Sequence, residues 1–211
     1  MQKIPTLFVR NLETRVVENA VTPGCEWVIA GEGVPTRKWD GTCMAVINGR
    51  PYRRYDLRKD KPAPESFLPA QDAADPITGN WPGWLPLDSG PGGKIDPADC
   101  WHWEGFKEGT AIIDGTYELC GPKINKNQEE FATHVMILHG VVTLPDAPRD
   151  FDLLREYLEL PQATSPSGRR VRIEGIVWHH QDGRMAKIKG KDFGIPRALP
   201  LEYNFPGGEA A

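Results

Sequence analysis

Over the first 57 residues, apolar and polar positions alternate in short runs, so that TLFVR, CEWVIAGEG, GTCMAVING and PYRRYDL each read as a strand. Asn48-Gly49 joins the last two, and that dipeptide favours a two-residue hairpin because both positions tolerate positive φ. From about residue 60 to residue 99 the alternation dissolves into Pro, Gly, Asp and Ser, which predicts an ordered surface excursion rather than a linker between domains.

Strand periodicity returns in GTAIIDGTYELCGP and in VMILHGVVTL, with NQEEFATH between them read as a short helix. In RDFDLLREYLEL, Phe151, Leu154, Tyr157 and Leu158 recur at helical spacing, with Pro148 and Asp150 at the start and Pro161 just past the end, so a helix is expected here. RRVRIEGIVWHH and RMAKIKGKDFG then alternate around Asp182-Gly183, a second hairpin signature, and the terminal GGEAA reads as frayed. Many short strands with few helices predict an α+β fold built on antiparallel sheets, and residues 1–211 read as a single domain.

Composition adds boundaries to that picture. With 39% hydrophobic and 26% charged residues the chain can bury a substantial core, and a net charge of -4 argues against a wholly basic nucleic-acid coat. Two stretches are nevertheless basic: Arg50 to Lys61, and Arg169 to Lys191. Cys25, Cys43, Cys100 and Cys120 are scattered with no C-x-x-C pair or histidine at ligand spacing, so reduced cytoplasmic thiols are expected rather than a structural zinc site. The N-terminus lacks the apolar run of a signal peptide, and no stretch approaches the ~18 apolar residues of a membrane span, so no membrane association is expected.

Four polar clusters lie on or beside the expected strands: Lys38 with Asp40, Arg54 with Arg58, Glu118, and Glu174 with Lys187 and Lys189. Lysine attacks phosphorus only as the neutral amine, and neighbouring cations or a divalent metal would lower its pKa. Lys187 and Lys189 alternate with Ile188, so one face of their strand is cationic, as a developing phosphate charge requires. Asp40 and Glu174 supply the hard oxygen donors that Mg²⁺ or Mn²⁺ prefers. WHWEG and the pair His179-His180 read as packing and hairpin-end residues, while Trp81, Trp84, Trp101 and Trp103 are expected to form a hydrophobic cluster under the Pro/Gly loop.

The order and spacing of these clusters resemble the covalent nucleotidyltransferase superfamily of RNA ligases, DNA ligases and mRNA capping enzymes. Lys38-Trp39-Asp40-Gly41 matches its K-x-D-G nucleophile motif; RRYDLRKD falls at its basic motif; YELCGPKIN, EGIV and KIK match the three motifs that follow. The resemblance spans about Cys25 to Phe193, and the GPKIN stretch favours ATP-dependent RNA ligases. Only about twenty residues follow KIK, which suggests a module without the OB domain of DNA ligases and capping enzymes.

What the resemblance implies is a nucleotidyltransferase (adenylation-domain, ATP-grasp-like) fold with antiparallel sheets around an ATP cleft. Lys38 would form lysyl-AMP, with Lys187 and Lys189 neutralising the α-phosphate. Asp40 and Glu174 would organise the metal, Glu118 would accept from the ribose, Gly41 belongs to the nucleotide-binding motif, and Arg54 or Arg58 would contact the adenylate or an incoming 5′-phosphate. Adenine would lie against an apolar or aromatic neighbour among Val28, Phe131, His139 and Ile176. The substrate would be RNA with 5′-phosphate and 3′-hydroxyl ends, sealed in a reaction of the RNA repair type; a monomer is favoured, with the oligomeric state open. Two other readings remain open from sequence: a capping-type guanylyltransferase or DNA ligase module using the same lysine, and an RNA-binding module that has kept the fold without turnover.

Overall fold

The computed structural model describes residues 3–87, 97–108 and 113–197. In chain order its elements begin with a small hairpin, β1 (Phe8–Arg10) and β2 (Val17–Val21), followed by a one-turn helix, α1 (Glu26–Ile29). Strands β3 (Val34–Lys38), β4 (Thr42–Ile47), β5 (Arg50–Leu57), β6 (Leu68–Pro69) and β7 (Trp81–Pro86) precede helix α2 (Cys100–Glu108). After β8 (Gly115–Cys120) and β9 (Val135–Leu138) come α3 (Phe151–Glu159), a two-residue pair, β10 (Ala163–Thr164) and β11 (Arg170–Val171), and a closing hairpin, β12 (Gly175–His179) and β13 (Met185–Lys189).

Two antiparallel sheets carry the architecture. One has three strands in the order β13-β12-β3, the other six in the order β6-β7-β5-β4-β8-β9. Lys38 ends β3 in the first sheet and Thr42 begins β4 in the second, so Trp39-Asp40-Gly41 is the direct connection between them. The expected α+β class with antiparallel sheets is therefore present.

Each sheet has its own apolar cover. Ile176, Trp178, Ala186 and Ile188 of the smaller sheet bury against Leu154 and Leu158 of α3 and against Leu7, Phe8, Trp27 and Val28. The larger sheet buries Met44, Val46, Tyr117 and Leu119 beneath Trp103 and Phe106 of α2. Because strand side chains alternate, the residues between these apolar positions are turned to the opposite face, where the sheets adjoin. Asp150 caps α3 by accepting from the backbone of Asp152 and Leu153. Both expected hairpins form, with Ile47 opposite Arg50 and His179 opposite Met185.

Five expectations are corrected. CEWVIAGEG is not a strand: adjacent Trp27 and Val28 both enter one core, which a helical turn permits and an alternating strand does not. NQEEFATH is not a helix: after a 3-10 turn at Asn125–Asn127, the Asn127 side chain donates to Phe131 O and accepts from Phe131 N, competing with helical bonding. VMILHGVVTL is a strand only to Leu138; beyond Gly140 the chain turns, and Val142 O accepts from Arg37 N on β3.

The excursion after residue 60 contains β7, an interior strand whose Trp84 and Leu85 are buried; Pro82 and Pro86 concealed it from the alternation rule. The four tryptophans accordingly separate. Trp81 meets Phe67, Trp101 stacks on His134, Trp103 meets Phe106, and Trp84 lies beneath Arg54. WHWEG packs as expected, but as part of α2. His180 pairs with Glu32 and Asp182 at the hairpin end. All four cysteines are free, and among the described residues no helix is long and apolar enough to cross a membrane. GGEAA and residues 109–112 lie outside the described residues.

Candidate active site

Lys38 stands opposite Gly175 in the β3–β12 ladder, and Gly175 stands opposite Lys189 in the β12–β13 ladder. A Cβ at Gly175 would lie 2.1 Å from Ile188 O, so only glycine allows the approach of β12 to β13 at this point. Glu174, immediately before β12, fills the space between the two lysines: Lys38 Nζ donates to Oε2 at 2.5 Å and Lys189 Nζ lies 2.9 Å from Oε1.

This clamp determines the local protonation. Burial works against the Glu174 carboxylate, but Lys38 and then Lys189 outweigh it and hold its pKa down. Burial likewise opposes the Lys38 ammonium, yet Glu174 and Glu118 outweigh it and push that pKa up. The expectation that surrounding cations depress Lys38 is thus corrected, because carboxylates are its nearer neighbours. The depressed lysine is Lys187, brought down to about 8 by burial and by the charges of Lys189 and Lys38.

From the larger sheet comes Glu118, a buried carboxylate that accepts from Gly41 N at 3.1 Å and lies 2.9 Å from His139 Nε2. A Cβ on Gly41 would meet Leu119 O at 2.3 Å and Glu118 Cγ at 2.7 Å, which explains the glycine of the K-x-D-G motif sterically. Cys43 is paired with Glu118 across β4 and β8; burial, reinforced by Glu118, raises its thiol to about 12 and keeps it neutral.

Lys38, Cys43, Arg54, Glu118, Lys187 and Lys189 line one cavity of about 500 Å³ between the two sheets, a volume within the ordinary range for small-molecule clefts. The N-terminal segment closes part of its wall. Leu7 N donates to Lys187 O and Lys187 N to Pro5 O, extending the edge of β13, while Lys3 reaches Asp75 at 2.9 Å. The two arginines lie on different surfaces: Arg54 lines this cavity, whereas exposed Arg58 lines a neighbouring open depression with Tyr55, Lys61 and Pro62.

Asp40 and Glu174 line a smaller adjoining cavity of about 220 Å³. Burial and then Glu174 raise the Asp40 carboxyl, a repulsion between like charges that a dication would relieve, and both residues offer the hard oxygens that suit Mg²⁺ or Mn²⁺. Because both Glu174 oxygens already face lysines, this donor set fits a hydrated ion better than a fully stripped one.

Ile176 lines neither of these two cavities. It is fully buried opposite Arg37 and Ile188, on the core face of β12, and Val177 occupies the register position beside Lys187. Val28 is equally buried in that core, and Phe131 lies against Trp39 with ring centroids 6.1 Å apart. Of the four suggested adenine neighbours, His139 lies against a predicted site residue, Glu118.

One residue carried no sequence signal and holds the connection together. Glu129, 1% exposed, accepts from Arg37 at 2.5 Å, from Asp40 N at 3.0 Å and from Arg197 at 2.9 Å. Asn125 of GPKIN donates to Asp40 Oδ1 at 3.0 Å and to Gly41 O at 2.7 Å, giving that motif a structural purpose. Nothing in the pattern of NQEEF distinguishes its first glutamate from its second; only the tertiary contacts do.

Comparison with known proteins agrees with the motifs. The family described as RNA ligase 1 matches residues 107–201, a span that includes Glu118, Glu174, Lys187 and Lys189. RNA ligase 1 of Pongo abelii is 25% identical over 240 residues, covering 81% of this chain and 70% of that protein, and the Rattus norvegicus protein matches to the same extent. RNA ligase 1 of Danio rerio is 24% identical over 229 residues, covering 76% and 67%. The resemblance first carried by five short motifs therefore extends over most of the chain, which is similar to the RNA ligase 1 proteins.

Proposed function

We propose that the protein is an ATP-dependent RNA ligase with a nucleotidyltransferase fold, acting through a covalent lysyl-AMP. The observation that supports this most is the convergence of the K-x-D-G lysine with Glu118, Lys187 and Lys189 around one cavity, although the four residues come from three distant parts of the sequence. Lys38 Nζ attacks the α-phosphorus of ATP, a P–N bond forms, and pyrophosphate leaves with the electrons of the broken P–O bond. The ammonium must first lose its proton to solvent, and separation of the neutral amine from Glu174 frees Nζ for attack. Lys187 and Lys189 stabilise charge on the phosphate oxygens, and Glu118 accepts hydrogen bonds from the ribose. When bound, Mg²⁺ or Mn²⁺ at Asp40 and Glu174 supplies further neutralisation of phosphate charge.

AMP then passes to the 5′-phosphate of RNA, and attack by a 3′-hydroxyl seals the strand and releases AMP. The basic run from Arg50 to Lys61 provides phosphate contacts for the strand. The test is incubation with Mg²⁺ and α-labelled ATP or GTP. Label is expected on the polypeptide from ATP and not on Lys38→Ala; no transfer from either nucleotide, or undiminished labelling of the variant, overturns the mechanism. Label from GTP alone overturns the choice of ATP and points to capping-type chemistry.

A further inference from the structure

Cys43, Glu118 and His139 form a second constellation within the same cleft, and one that the ligation steps leave partly unused. The Cys43 Sγ, a Glu118 carboxylate oxygen and a His139 ring nitrogen all lie within 4.8 Å of one another. Tetrahedral zinc with bonds of about 2.0–2.3 Å separates its ligands by roughly 3.3–3.8 Å, so small side-chain rotations bring these three atoms to ligand positions. Their supports are rigid. Cys43 and Glu118 are directly opposite on β4 and β8, and His139 N donates to Thr116 O at 3.0 Å, fixing the histidine beside β8.

The histidine is also oriented. Its Nδ1 lies 3.0 Å from Thr116 Oγ1 while Nε2 faces Glu118 at 2.9 Å, the arrangement in which an outer hydrogen bond aims the other ring nitrogen at a metal. A thiolate, an imidazole and a carboxylate form a donor set for zinc-like ions and not for Mg²⁺. The thiolate and the carboxylate together balance a dication, which matters because Lys38 and Arg54 line the same cavity as Cys43. The cavity side leaves room for a fourth ligand from solvent.

We propose that Cys43, Glu118 and His139 bind a thiophilic divalent cation of the Zn²⁺ class, and that its binding withdraws Glu118 from the nucleotide and blocks self-adenylation. Binding forms an S–metal bond and expels the Sγ proton to solvent. The metal site stands on its own geometry; the block rests on the adenylation reading above.

Titration of the full chain with Co²⁺ tests the site directly. A thiolate-to-cobalt absorption band is expected to saturate at one equivalent, to be lost in Cys43→Ser, and to need about tenfold more Co²⁺ in Thr116→Val, which frees the histidine's outer nitrogen. Absence of the band in the unaltered protein, or its survival in Cys43→Ser, overturns the site. The block is read separately by binding of a fluorescent ATP analogue with and without one equivalent of Zn²⁺. A loss of at least about tenfold is expected, in line with the cost of disturbing one buried polar contact to a ligand. Unchanged nucleotide affinity beside an intact cobalt band overturns the block alone. Failure to label from ATP in metal-chelated buffer restored with Mg²⁺ overturns the adenylation reading and the block with it, while the cobalt band still decides the site.

Discussion

Lys38 and Glu174 form a 2.5 Å ion pair between residues 136 apart in sequence, and Lys189 shares the same carboxylate. Glu174 therefore ties the ends of β3 and β13 across β12, and it sets the charge state of the lysine beside it.

Replacing Glu174 by Gln removes the leading support for the Lys38 ammonium. Burial is then opposed only by Glu118 and Asp40, so the Lys38 pKa should fall, a change readable by NMR of isotopically labelled lysine. Since the folded-state pKa of Glu174 is depressed below its ordinary 4.5, the stability from this pair is present above that value and is lost as pH falls through the lower folded one. It is also lost at high pH, as Lys38 deprotonates above 10.5. Glu174→Gln should thus melt below the unaltered protein at pH 7, by an amount equivalent to about 1–3 kcal/mol, with the gap narrowing in strong acid. A gap that is independent of pH would contradict the ion-pair account.

Arg54 and Arg58 are four residues apart and serve different surfaces. Arg54→Ala should lower labelling from ATP by about tenfold or more, the cost of one charge-assisted contact to phosphate. Arg58→Ala should leave labelling intact, weaken RNA binding uniformly across sequences and reduce the salt slope of that binding by about one. Parallel labelling and RNA-binding assays on the two variants separate these effects.

Gly41→Ala tests the contact between the nucleophile motif and Glu118. The added Cβ cannot stand 2.3 Å from Leu119 O, so β8 or the connection must shift, with an expected stability loss of about 1–3 kcal/mol. Because Glu118 Cγ is the next obstacle, nucleotide affinity should fall along with melting temperature, and calorimetry with nucleotide titration would show both.

Glu129→Gln probes the contact that sequence reading missed. Two arginines, Arg37 and Arg197, lose a buried counter-charge, and removal of one partner from such a group costs about 3–5 kcal/mol. The chemistry should be affected only through displacement of the Trp39–Gly41 connection, so denaturant melts should change more than the residual labelling of the folded fraction.

The alternation of apolar and polar residues located β4, β12 and β13, because each of these strands has one face in a core and one towards the cleft, and the Asn48-Gly49 turn located β5. That same rule placed Lys187 and Lys189 on a common face. It failed for β7, where two prolines interrupt the pattern, and for the turn around Trp27, where the core takes consecutive residues. Motif order pointed to Lys38, Glu118, Glu174 and both strand lysines as one group, and the fold brings them together around the cleft. Ile176 was misplaced by a single step of the strand, and Glu129 was invisible, because its role depends on arginines far away in sequence that only the folded chain brings near.

Lys187 links the cleft's charge to pH. Its folded-state pKa of about 8 lies below the 10.5 of the free side chain, so the folded protein carries an unfavourable charge here at neutral pH. Unfolding relieves that charge, and the penalty disappears as pH rises from about 8 to 10.5. Lys187→Met should therefore raise the melting temperature at pH 7, by the equivalent of about 1–3 kcal/mol after allowance for solvent screening, with the advantage gone near pH 10.5. Nucleotide binding should respond with the opposite sign. The protonated amine is the form that attracts phosphate, so affinity for ATP should decline above pH 8 in the unaltered protein, remain low and flatter in Lys187→Met, and persist to higher pH in Lys187→Arg. Melting curves and nucleotide titrations from pH 7 to 10.5 on the three proteins separate these outcomes; loss of stability in Lys187→Met at pH 7 would show that the lysine serves the fold and not the ligand.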